Sequence, residues 1–158
     1  MFGDISTGDI ELLNAFSNLT SSAQKEFKDY LRYLLCKQYK KELMSAIFHN
    51  QLLHSLLQSL LHIVERDEFQ IQLIEKRLSQ IKELYFGIFE KIHIKYSELV
   101  DGLDSSELVK EFGSNSFDSI NRACKIGNRI LIRMEIVEFY EGYYKLAQKK
   151  DARKIVAV

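Results

Sequence analysis

From Leu43 to Val64 the apolar positions come as adjacent pairs one helical turn apart: Leu52 and Leu53, Leu56 and Leu57, Leu60 and Leu61, then Val64. Pairs at four-residue spacing make a wide buried stripe along one helix. The other side reads His49, Asn50, His54, Ser55, Gln58, Ser59 and His62, polar but uncharged. A side facing bulk water ordinarily carries Lys and Glu. The stretch therefore predicts a central helix with neighbours on more than one side, and Leu52, Leu53, Leu56, Leu57, Leu60 and Leu61 are its candidate interaction residues.

The remaining pattern is helical as well. A short helix is predicted near Asp9 to Asn18, with Leu12, Leu13 and Phe16 on one face, after a frayed start over residues 1–8. Ser21 and Gln24 match a capping box. From there Phe27, Tyr30, Leu31, Leu34, Leu35, Tyr39, Leu43 and Ile47 keep helical spacing into the central stretch, with a bend expected at His49-Asn50. A third helix is predicted after Asp67 as its cap. Its stripe of Ile74, Leu78, Ile81, Tyr85, Ile88, Ile92, Tyr96 and Leu99 is close to a heptad repeat. Gly87 on this helix suggests the close approach of a neighbour.

A short helix from Ser105 to Phe112 should end at Gly113, and Ser116 should cap the last long helix. The apolar set there is Ile120, Ile126, Ile130, Met134, Val137, Phe139, Tyr140, Tyr143 and Leu146, with a kink near Gly127-Asn128. Residues 149–158 read as a tail whose apolar end either docks or hangs loose. No strand-like alternation appears. The pattern predicts one all-α domain over 1–158, an antiparallel bundle of three long helices with two or more short ones.

Composition sharpens this picture in two places. The chain has no Pro and only seven Gly among 158 residues, so few breakers interrupt its helices. Its 22 basic and 22 acidic residues cancel, which removes net charge as an argument for nucleic acid or membrane. Cys36 and Cys124 form no CxxC and read as reduced thiols, and no leader pattern opens the chain. The central stretch is too polar for a membrane span. The expected compartment is the cytoplasm.

Candidate chemistry is sparse. Glu90 and His93 form an E-x-x-H, but no second His has a Glu three residues before it, so the di-iron pattern is incomplete and no metal or cofactor is expected. His54 and His62, two turns apart, could line a ligand or pH-sensing pocket with Phe48; two hydrogen-bonded histidines at a helix seam is the better reading. Neither cysteine nor any serine sits in a nucleophile motif, and no glycine-rich phosphate loop exists, so an enzyme is not expected.

Charge is uneven along the chain. Ser97 to Ile120 holds six acids against Lys110, and Asn121 onward holds nine bases against four acids. Arg122, Lys125, Arg129 and Arg133 step at helical spacing as a candidate basic patch for nucleic acid. A solvated face, or one paired with the acidic segment, is the better reading.

Residues 11–35 carry a resemblance. Glu11-Leu12-Leu13-x-x-Phe16-x-x-Leu19-Thr20, then Gln24-Lys25 and Tyr30-Leu31-x-Tyr33-Leu34-Leu35, resembles the helical segment that follows the DNA-binding domain in bacterial phage-repressor-type helix-turn-helix regulators. The ten residues upstream hold no counterpart of the reader domain, so no DNA-contact residue carries over. The resemblance implies an oligomerisation or effector domain without its reader. The leading expectation is a non-enzymatic regulatory module: a helical bundle that self-associates, as a dimer, and binds a protein partner. The alternatives are a small-molecule sensor, globin-like or similar, and a DNA-binding protein using the last helix.

Overall fold

Short polar side chains set where the helices begin. In the computed structural model, which describes residues 4–101, 103 and 107–156, the chain is all-α and builds six helices. They are α1 (Thr7–Ser17), α2 (Ser21–Phe48), α3 (Gln51–Glu65), α4 (Ile71–Ser97), α5 (Glu107–Ile126) and α6 (Arg129–Val156). Ser6 and Asp9 close a capping box on α1, so this helix starts inside the stretch expected to fray. Thr20, one residue before the expected Ser21, caps α2 by accepting from the Ala23 amide. Gln24 reaches back instead, and its Nε2 donates to the Phe16 carbonyl at 3.0 Å, tying α2 to the end of α1.

The bend expected at His49-Asn50 is a full break. The Asn50 carboxamide oxygen accepts from the Leu53 amide at 3.0 Å, which starts a new helix. Helix α4 begins at Ile71 after Gln70, not after Asp67. Gly113 does not end a helix; α5 runs through it to Ile126. An added Cβ at Gly113 would lie 2.5 Å from the Tyr85 ring, so the glycine serves a close helix crossing, the role expected of Gly87. At Gly87 itself nothing lies within 4 Å. The kink expected at Gly127-Asn128 is also a full break. Gly127 takes φ +77° and Asn128 Oδ1 accepts from the Ile130 and Leu131 amides at 3.1 and 3.2 Å. Ser105, the cap expected for the segment before Gly113, and the last two tail residues lie outside the described residues.

The core lies where the second half of α2 meets α3, α4, α5 and α6. Its centre is aromatic: Phe112 and Phe117 both meet Phe139, Tyr85 meets Phe117 edge-on, and Phe48 meets Phe112 and Tyr143. Two of the buried phenols, Tyr85 and Tyr143, spend their hydroxyls on backbone. Tyr85 donates to the Val109 carbonyl at 2.5 Å and Tyr143 to the Ile47 carbonyl at 2.7 Å. Ile47 is in the last turn of α2, where carbonyls have no partner within the helix, so Tyr143 closes that end. Arg133 does the same for α3, donating to the Val64 and Arg66 carbonyls at 2.6 and 3.0 Å.

Candidate functional site

The central helix spends its leucines on its own chain. Leu53, Leu57 and Leu60 are buried, Leu56 and Leu61 pack partly buried against the same core, and only Leu52 stays exposed. The doublet pattern thus describes a helix wedged between α4 and α6, without a free docking face.

The expected pocket residues are not brought together. Phe48 is buried in the aromatic centre. His54 meets Tyr143 and Tyr144 with its ring tilted to both, and its Nδ1 is buried and unbonded among the described residues. His62 is on the surface, 3.5 Å from Glu65. Eight residues rotate a helix by roughly 80°, which is enough to carry His62 off the seam that holds His54.

The basic stripe is divided too. The break at Gly127 puts Arg122 and Lys125 on α5, and Arg129 and Arg133 on α6. Arg129 Nε donates to the Phe69 carbonyl at 3.3 Å, so Arg129 and Arg133 both hold backbone. The same break resets the apolar register: on α6 Ile132, Ile136, Phe139 and Tyr143 face inward, while Ile126 at the end of α5 and Ile130 and Met134 on α6 stand exposed at 70 %, 70 % and 62 %.

Glu90 is exposed, and His93 stacks on Phe89 and meets the Tyr39 hydroxyl at 3.1 Å. Among the described residues no group of three His, Cys, Asp or Glu side chains could hold a metal, and no helix is long and apolar enough to cross a membrane. A 610 Å³ groove beside the α2–α3 break is lined by Glu42, His49, Gln51, Ile88, Lys91 and Lys95, among others, and is open to solvent.

The surface that stands out is the N-terminal arm. Helix α1 buries no residue, and the first buried residue of α2 is Tyr39. Ile10, Leu12, Leu13, Leu19, Tyr30, Leu31, Tyr33 and Leu34 keep between 40 % and 61 % of their surface exposed. On α2 these residues, with Phe27 and Leu35, sweep an arc of roughly 200° at 100° per residue, too wide for α1 alone to cover. Contact between the two helices is concentrated at Phe16, which meets Phe27 at 5.5 Å between ring centroids, with the Lys28 ammonium 5.7 Å from the Phe16 ring.

A polar clasp fixes the base of this arm to the end of α4. Arg32 donates to the Asp101 carbonyl at 2.5 Å, Gln38 to the Tyr96 hydroxyl at 3.0 Å, and Lys95 to Glu42 at 3.0 Å. The Tyr96 hydroxyl also donates to the other Glu42 oxygen. Hydrogen bonds from Tyr96 and then Lys95 hold the Glu42 carboxyl below its ordinary range. Burial first, and then the Glu42 carboxylate, push Tyr96 up.

Sequence pattern alone gave no reason to single out the arm, because leucines at helical spacing look the same whether covered or bare. The resemblance over residues 11–35 falls on this element. No protein-family model, no curated protein and no solved structure matches the chain.

Proposed function

We propose that the protein is a non-enzymatic interaction module, an antiparallel helical bundle that self-associates and engages protein partners through the arm formed by α1 and the first half of α2. The observation that carries this reading is the run of large apolar side chains left bare on two well-capped helices. Leaving them in water forgoes roughly 25 cal/mol for each Å² of apolar surface, a cost that a docked protein surface removes. Contacts such as Gln38 with Tyr96 and Tyr39 with His93 pair advancing positions on α2 with receding ones on α4, which supports the antiparallel arrangement. The resemblance to the segment following a regulator's reader domain supports a role in transcriptional control. Because Arg129 and Arg133 are occupied with backbone carbonyls, direct DNA binding by the last helix is the weaker reading.

The test is a variant with Leu12→Ser, Tyr30→Ser and Leu34→Ser. It should keep the far-ultraviolet helix signal of the native chain, since none of the three is in the core, and lose its assembly by light scattering. A variant that assembles as the native chain does would remove the arm from the interface.

A further inference from the structure

The groove beside the α2–α3 break has an unbalanced set of charges. Glu42 is the one carboxylate in its lining, and it is already held by Lys95 at 3.0 Å and by the Tyr96 hydroxyl. Lys91 lies one turn before Lys95 on α4 and lines the same groove. The residues three and four places from it along the helix, its ordinary partners, are Gly87, Ile88, Ile94 and Lys95, none of them acidic. Glu90, its neighbour in sequence, does not line the groove. Between Glu42 and the break, α2 contributes only Ser45, Ala46 and His49, and the one acid of α3 is Glu65, at the far end of that helix. Among the described residues no ion pair includes Lys91.

We propose that this groove is a binding site for a small organic carboxylate, its anionic head at Lys91 and its apolar body along Ala46, Ile88 and Ile92. The site is separate from the arm and does not depend on the role given to it. One unmatched cation calls for one negative charge, which a carboxylate supplies and a phosphate dianion exceeds. Ser45 and Gln51 add neutral hydrogen-bonding groups at the rim. The apolar side chains on both helices give the rest of the molecule a surface to lie on, the mixture of a few polar groups with apolar walls that small-molecule sites share. The size agrees: 610 Å³ falls within the roughly 300–1,000 Å³ of such sites. From Glu42 to His49 the groove follows α2 for about 10 Å, at 1.5 Å of rise per residue. That is room for a short acyl chain or one ring, and too little for a docked helix.

The experiment titrates the full chain with hexanoate and follows backbone amide shifts by two-dimensional NMR. Hexanoate should give saturable shifts over residues 45–51 and 88–95. Hexanol lacks the charge and acetate lacks the body, so each should bind more weakly by roughly tenfold or more. Lys91→Glu replaces an exposed side chain and should weaken hexanoate by roughly tenfold or more, since it puts like charge against the head. Lys76→Glu makes the same change in net charge at an exposed position of α4 outside the groove, and should leave binding unchanged. Shifts that do not saturate, or that concentrate on the bare arm over residues 10–34, would overturn the site. Hexanol binding as well as hexanoate, or Lys76→Glu weakening it as much as Lys91→Glu, would overturn the recognition of an anion by Lys91 and the proposal with it.

Discussion

At the scale of single residues, this fold is held by side chains that finish helix ends and by glycines that admit a ring. Tyr143→Phe removes the hydroxyl that donates to the Ile47 carbonyl and leaves a buried acceptor without that bond. It should cost about 1–3 kcal/mol in urea denaturation. Gly113→Ala should also destabilise, since its methyl group would strike the Tyr85 ring, whereas Gly87→Ala meets open space in a helix interior and should stabilise by about 0.5–1 kcal/mol. The opposite signs of the two glycine changes check the register of α4 against α5. Leu57→Ala, at a fully packed position, should cost about 2–5 kcal/mol. Titration follows from burial as well. Desolvation raises the phenols of Tyr85 and Tyr143 above their ordinary value of 10.0. Folding favours their neutral form, so that contribution is complete below 10.0 and is lost as pH rises beyond it.

At the scale of elements, the clasp between α2 and α4 responds to acid. Glu42 has its folded pKa lowered from 4.5, so its contribution is present at neutral pH and disappears as pH falls through the lowered value. Glu42→Gln should therefore flatten the acid side of the stability–pH curve, measured by thermal melts below pH 5, relative to the native chain; an unchanged acid limb would contradict the role given to the clasp. Much of this level was legible beforehand. The stripe Ile74, Leu78, Ile81, Tyr85, Ile92 and Tyr96 is the buried face of α4, and Asn50 and Gly127-Asn128 mark real discontinuities. Other features were not. A glycine followed by Ser-Asn-Ser reads locally as a helix end, but at Gly113 packing against Tyr85 decides, and α5 continues. The apolar run Ile126, Ile130 and Met134 reads as a core stripe until the break between α5 and α6 rotates it outward. The central leucines read as a docking face because sequence spacing does not tell which neighbour covers them.

At the scale of the whole molecule, the chain divides into a closed body and a bare arm. The body, from Tyr39 onward, holds every buried residue among those described, and none of these is charged. The arm has the reverse character: capped, helical, directed by its clasp, and apolar on the outside. That contrast underlies the proposal that residues 7–38, and not the central helix from which the pattern starts, are the docking element. The measurement that meets this claim most directly is amide hydrogen exchange at two protein concentrations. The account predicts that protection over residues 7–34 falls on dilution, as the arms separate, while protection over the core of α3, α4 and α6 stays constant. Protection of the arm that does not change with concentration would contradict it.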